Sequence, residues 1–277
     1  MKNKVDILGV KINKIGMAET CQYIFSVINN KEKAMVVTPN AEMIMRARDN
    51  DELRDILNNA ELSLPDGAGV LLAAKLFKLN IKERVSGFDL LTELLSDSVD
   101  NNYLDNEKYS VYFLGGKPGI AKKMVKKLKE NPDTTLANNN KLSSKLNISG
   151  FHHGYLDEEL SDKVLKEINE KKPDILFVGM GVPLQEKFLK ENMDKLDIKV
   201  GITVGGSFDV LAGELNRAPK WMQNAGLEWF YRLLQEPTRF KRMLALPKFA
   251  FLAFYKSIFW YAHKKENKCK GSLFYLL

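Results

Sequence analysis

The sequence predicts an α/β fold: a mostly parallel sheet with helices on both faces, followed by a basic, aromatic helical C-terminal appendage. Three observations lead there. Short apolar, β-branched runs alternate with helix-period patterns along the first 216 residues. Three of those runs end in closely spaced glycines. The composition then changes near Arg217, where basic and aromatic residues take over.

The elements follow in order. Residues 5–10 (VDILGV) form the first strand signal, and the apolar spacing over 17–28 predicts a helix. A second strand at 34–38 ends in Thr38-Pro39-Asn40, and helical patterns occupy 69–77 and 87–96. Strand 109–114 leads into a helix over 118–129. The polar, Asn/Lys/Ser-rich stretch 131–147 reads as a loose loop or edge excursion. Beyond it lie helix 157–169, strand 174–178, helix 185–193 and strand 199–204. Such alternation implies βαβ units in a Rossmann-like, doubly covered sheet. No internal repeat and no linker divides residues 1–216, so the expected organisation is one catalytic domain, 1–216, plus an appendage, 217–277.

Composition narrows the classes. With 45% hydrophobic and 28% charged residues over 277 positions, the chain is globular rather than disordered or disulfide-stapled. Cys21 and Cys269 fit neither a zinc site nor a disulfide framework, which favours a reducing compartment. The opening MKNKVDILGVKINKIG lacks the apolar run of a secretory signal. Three histidines leave little material for a His-based metal site or a Ser-His-Asp triad, and no metal and no cofactor is expected.

The net charge of +7 is concentrated in the appendage, where 12 Lys/Arg face three acids, leaving the first 216 residues slightly acidic. The same segment holds all three tryptophans and 14 of the 27 aromatic residues. Basic groups with interfacial aromatics suit an anionic membrane surface; they also suit nucleic acid, through phosphate contacts and base stacking. Residues 244–262 favour the membrane, because their continuous apolar surface exceeds what base stacking needs. Pro247, Lys248 and Lys256 interrupt the run, so an interfacial helix is expected rather than a spanning one. A packed C-terminal helix or an oligomer interface is the other reading of this segment.

Glycines close three strands: Gly115-Gly116, Gly179-Met180-Gly181 and Gly205-Gly206. At the carboxyl ends of a parallel sheet they let the backbone approach a phosphate, which points to a nucleotide or diphosphate site. The spacing matches neither G-x-x-x-x-G-K-[ST] nor G-x-G-x-x-G, which disfavours a P-loop NTPase or an ordinary dehydrogenase. Asp49-Asn50-Asp51 has the D-x-D form of a metal–diphosphate motif, but its place between two helical stretches makes Asp51 a helix cap instead. Four polar clusters remain, at 38–42, 64–69, 83–87 and 179–186. Each is explicable alone by caps and turns, yet all follow strands or lead into helices, so they gather on one rim.

The runs TPNAEMI, LSLPDGAGV, ERVSGFDLL, FLGGKPG, GYL, PDILFVGMGVPLQEKF and VGGSFDVLAGELNRAPKWMQNAGLEWFYRLLQEPTRFKRM closely resemble the WecG/TagA/CpsF glycosyltransferase family (glycosyltransferase family 26) over residues 5–245. Within it the likeness is greatest to members that build the teichoic acid linkage unit. The resemblance implies transfer of ManNAc from UDP-ManNAc to undecaprenyl-diphosphate-linked GlcNAc, at the cytoplasmic face of the bacterial membrane, with peripheral attachment. It implies Asp66 as catalytic base, with Thr38, Asn40, Arg84 and Gln185 in the substrate pocket. Arg232, Arg239 and Arg242 match the region thought to complete the site when the tail docks. The glycines Gly115, Gly116, Gly181, Gly205 and Gly206 are the expected diphosphate cradle. Self-association is a further implication, and nucleic acid is not an expected partner. Another UDP-sugar donor, such as UDP-ManNAcA or UDP-glucose, stays open, as does a non-catalytic nucleotide-binding membrane adaptor. After Leu246 the chain runs beyond the resemblance, as either a second membrane contact or a poorly ordered end.

Overall fold

The computed structural model describes residues 3–103, 108–131, 136 and 140–258. Two strands, β1 (Lys4–Ile7) and β2 (Val10–Asn13), pair antiparallel as a separate hairpin. This corrects the expectation of one strand over 5–10. Leu8 and Gly9 both take positive φ (56° and 97°), the requirement of a tight two-residue hairpin turn, and Asp6 Oδ1 accepts the Gly9 N–H at 2.9 Å. The apolar run is therefore folded back on itself.

Six parallel strands form the main sheet in the order β4-β3-β8-β7-β5-β6. They are β3 (Ala34–Val37), β4 (Leu62–Ser63), β5 (Tyr109–Gly115), β6 (Leu146–His152), β7 (Ile175–Gly179) and β8 (Val200–Thr203). Strands β3, β5, β7 and β8 are almost wholly buried because helices cover both sheet faces. Alternate residues of β5 and β7 divide between two cores. Val111, Phe113, Ile175 and Phe177 face helices Met17–Asn29, Gly87–Leu95, Ile120–Glu130 and Ser207–Ala212. Tyr112, Leu114, Leu176 and Val178 face helices Ala41–Arg48, Asp51–Asn59, Gly67–Leu76, Glu158–Lys171 and Leu184–Asn192.

Strand β4, which leads into the cluster at 64–69, has only two residues, and β6, an addition to the expected set at the sheet edge, has no fully buried residue. The start of β6 lies inside the stretch expected to be a loop; positions 132–135 and 137–139 of that stretch fall outside the described residues. Helix Asp51–Asn59 is capped by Asn50, whose Oδ1 accepts the Leu53 N–H at 2.9 Å, so the cap is one residue earlier than expected. Asp51 instead pairs with Arg54.

The connection from β5 runs outward to β6, whereas that from β7 runs the other way to β8. The loops after β5 and β7 therefore diverge and leave a crevice at the carboxyl edge. Four strand spacings, about 19 Å, separate β4 from β5 along that rim.

C-terminal residues pack onto the second core. Residues 245–258 are helical, and their stripe Phe249, Ala253 and Ser257 is buried. A Cβ added at Gly69 would lie 3.7 Å from the Phe249 ring, which places the ring beside helix Gly67–Leu76. Phe249→Ala is expected to destabilise the protein by about 3–5 kcal/mol. Chemical denaturation of both proteins measures this; a change below about 1 kcal/mol would mean that the ring is not seated there.

Candidate active site

The site assembles along the carboxyl edge from β4 to β5. At its β4 end, Asp66 precedes helix Gly67–Leu76 in extended backbone, and its side chain does not cap that helix. Its N–H is fixed to Pro39 O at 3.2 Å, so the turn is anchored while the carboxyl stays uncommitted to the cap. The residue is half-buried, and burial pushes the carboxyl from 3.8 up to about 7. Arg84 opposes the rise, Glu228 and Asp89 add to it, and Arg232 opposes it. A carboxyl balanced near neutrality is suited to exchanging a proton at ordinary pH.

Two neighbours come from the end of β3. Asn40 caps helix Ala41–Arg48 through Oδ1 to Met43 N at 3.0 Å, and its Cβ lies 3.8 Å from where a Cβ at Gly67 would sit. Thr38 is buried and donates through Oγ1 to Thr203 O at 3.3 Å, tying β3 to β8. Gly87 lies close beside it: an added Cβ would be 3.1 Å from Thr38 Oγ1.

Arg84 belongs to a closed ring of four charges. Its Nη1 donates to Glu228 Oε2 at 2.7 Å and its Nη2 to Asp89 Oδ2 at 3.0 Å. Arg217 closes the ring, at 2.5 Å to Asp89 Oδ1 and 3.5 Å to Glu228 Oε1, while lying 4.6 Å from the Phe88 ring centroid. The ring joins residues from both sides of the expected boundary at 216/217. Ser86 supports it, donating to Asp89 Oδ2 at 2.6 Å and accepting the Asp89 N–H at 3.1 Å. Sequence reasoning missed Asp89, Arg217 and Glu228. The Ser86-x-x-Asp89 spacing was the one available signal, and it reads first as a helix cap.

Arg232 lies over the Gly205-Gly206 turn, its Nη2 3.4 Å from Gly206 O. A Cβ at Gly206 would come within 2.2 Å of that nitrogen, so a side chain there would push the guanidinium aside. Arg239 and Arg232 share the Glu236 carboxylate, at 2.8 and 3.3 Å, and Arg242 meets Glu42 at 2.7 Å. Burial, then the nearby charges of Arg232 and Arg242, hold Arg239 below the ordinary guanidinium value. The three arginines therefore form one cluster, in which Arg232 reaches the turn and its charge also acts on Asp66.

The glycines divide into two roles. At Gly115 an added Cβ would lie 2.5 Å from Gly179 O, and at Gly116 it would lie 2.9 Å from Ile120, so both are needed for close packing. Gly181 and Gly205 have positive φ (80° and 56°) and nothing within 4 Å of an added Cβ. Gly119, which sequence reasoning did not single out, has φ 92° and the same open space. These three leave bare backbone at the crevice. Gln185 works beneath it: buried, it accepts the Gly205 N–H through Oε1 at 3.0 Å. Burial raises the pKa of Asp209 nearby, and Arg232 and Lys117 are among the charges acting on it.

Among the described residues, no three His, Cys, Asp or Glu side chains are grouped to hold a metal ion, and no helix is long and apolar enough to cross a membrane. The rim thus offers a near-neutral carboxyl, an arginine cluster and open glycine backbone, a set suited to moving a group between an anionic leaving group and a hydroxyl.

Comparison with known proteins agrees with that chemistry. The family model described as Glycosyl transferase WecG/TagA/CpsF family matches residues 5–263. The chain is 34% identical over 224 residues to the N-acetylglucosaminyldiphosphoundecaprenol N-acetyl-beta-D-mannosaminyltransferase of Bacillus subtilis (strain 168), covering 80% of each protein. A protein of the same name from Staphylococcus aureus (strain MRSA252) is 30% identical over 251 residues, 90% of this chain and 91% of that one.

Proposed function

Because the chain belongs to the WecG/TagA/CpsF glycosyl transferase family, we propose that it moves ManNAc from UDP-ManNAc to the 4-hydroxyl of GlcNAc-diphospho-undecaprenol. The observation that carries this reading is the Asp66 carboxyl, half-buried, uncommitted to the helix cap and raised to about 7 between Arg84 and Arg232. The names of the relatives supply the acceptor and the sugar.

The reaction is a single displacement with inversion. As the acceptor O4 attacks the anomeric carbon, the bond from that carbon to the UDP oxygen breaks on the opposite face. The hydroxyl proton passes to Asp66, and UDP departs with the bonding electron pair. General-base assistance of this kind is worth about 10²–10⁴ in rate. An α-linked donor then gives a β-linked product through an oxocarbenium-like state. Charge developing on the leaving diphosphate meets Arg232 and its cluster partners, where the side-chain-free backbone at Gly181 and Gly205 leaves room for it to approach. Gly115 and Gly116 keep the adjoining turn close, Thr38 and Asn40 shape the sugar end, and Arg84 sets the field at Asp66. The rim from β4 to β5 suits an extended nucleoside diphosphate sugar better than a single sugar.

A lipid-linked acceptor needs a membrane-facing enzyme, and the C-terminal surface supports that placement. Residues 245–258 turn Phe251, Phe254, Tyr255 and Ile258 outward beside exposed Lys248 and Lys256, with Trp229 and Phe240 also exposed. Peripheral attachment to the cytoplasmic face follows, and a homo-oligomer would have to cover the same apolar surface. The end of the apolar stretch, from 259 onward, lies outside the described residues. Phe251→Glu/Phe254→Glu is expected to weaken binding to vesicles of anionic phospholipid by about tenfold or more without lowering the melting temperature. Equal sedimentation of both proteins with the vesicles would place the docking surface elsewhere.

Donor choice tests the functional reading. Offered UDP-ManNAc, UDP-ManNAcA and UDP-glucose with lipid-linked GlcNAc, the protein should extend the lipid with ManNAc. Extension by another sugar alone would keep the glycosyltransferase and discard this donor; no extension by any of them would favour a nucleotide-binding adaptor.

A further inference from the structure

Glu186 is a carboxylate that the proposed reaction does not use. It is fully buried on helix Leu184–Asn192, and burial raises it to about 7. One oxygen, Oε1, accepts from Gln185 Nε2 at 2.7 Å, while Oε2 is buried with no hydrogen-bond partner. The charged neighbour acting on it is Arg46, whose Nη1 is 2.9 Å from Val182 O. A carboxylate with one oxygen unpaired is a costly occupant of a core position, so its acceptor atom needs a reason.

The amide beside it provides one. Gln185 must turn Oε1 toward Gly205, because a backbone N–H only donates. That orientation aims Nε2 away from the turn, where it needs an acceptor. Glu186 supplies it, so the relay Glu186–Gln185–Gly205 has one consistent direction. We propose that Glu186 is a positioning residue: by accepting from Gln185 it fixes the amide that holds the Gly205 N–H, and so sets the Gly205-Gly206 turn beneath the donor diphosphate. The last clause rests on the functional reading above; the relay itself does not.

Reversal of the relay tests it. In Gln185→Glu a carboxyl oxygen still accepts from Gly205, but the amide donor is lost and the second oxygen faces Glu186 Oε1, a pair that must repel or take up a proton. Adding Glu186→Gln restores a donor between them, so the double variant should repair what the single one breaks. Two quantities are read on the full chain: hydrogen exchange at the Gly205 amide and UDP affinity by calorimetry. Glu186→Ala and Gln185→Glu should each speed exchange at Gly205 and weaken UDP binding by about tenfold. Gln185→Glu/Glu186→Gln should return both to within about threefold of the unsubstituted protein. Unchanged Gly205 exchange in Glu186→Ala, or a double variant no better than Gln185→Glu, would overturn the proposal. Failure of the unsubstituted protein to bind UDP would remove the donor-site reading instead, and the exchange measurements would still decide whether Glu186 sets the turn.

Discussion

Asp66→Asn is expected to lower kcat by about 10²–10⁴ while leaving UDP affinity within about threefold. Asparagine keeps the size and the turn but cannot take the acceptor proton. The pH profile separates this from a folding defect. Since the base must be ionised, kcat/KM of the unsubstituted enzyme should rise with pH through about 7, and the variant should lose that rise. Stability should change in the opposite sense. The folded-state pKa lies above the unfolded value of 3.8, so the neutral form is favoured in the fold. The group's contribution is fully present below about pH 4 and is lost as pH rises through about 7. Asparagine mimics the neutral form, so the variant should match the parent at low pH and exceed it by about 1–2 kcal/mol above pH 7. An active variant with an unaltered pH profile would rule Asp66 out as the base.

Arg232→Ala should have the second large effect, lowering kcat/KM by about 10²–10³. It is the arginine of its cluster that reaches the Gly206 carbonyl and also acts on Asp66. On the proposed reaction, loss of the guanidinium removes positive charge beside the leaving diphosphate, and it should also raise the pH at which activity appears, because Arg232 holds the Asp66 pKa down. Arg232→Lys should recover only part of the loss, since an ammonium lacks the planar fork that grips two phosphate oxygens. Arg242 pairs with Glu42 and is more exposed, so Arg242→Ala should cost less. Steady-state kinetics across pH on the three variants checks the order; equal losses at positions 232 and 242 would mean that the cluster acts only as diffuse charge.

Strands β3, β5, β7 and β8 were legible because burial on both faces turns each into a continuous apolar run. The hairpin misled because Leu8 continues the apolar run through the turn, at a φ that side chains seldom adopt. Strand β6 left no pattern: an edge strand without a fully buried face needs no alternation. In the site, Asp66, Thr38 and Asn40 stood out because strand ends and helix starts carry distinctive turn residues. Their charged surroundings did not. Arg84 meets Glu228 across 144 positions and Arg217 meets Asp89 across 128, and no local periodicity records such pairs. The appendage was legible as basic and aromatic, but not as half seated: the spacing of Phe249, Ala253 and Ser257 buries one stripe while Phe251, Phe254 and Tyr255 stay outside.

The most direct test is UDP release from UDP-ManNAc by the full chain on anionic vesicles, with and without GlcNAc-diphospho-undecaprenol, followed by analysis of the lipid product. Acceptor-dependent release, one UDP for each β-1,4-linked ManNAc added to GlcNAc, is the predicted result. Release that does not depend on the acceptor, or an α-linked product, would contradict inverting transfer at this rim.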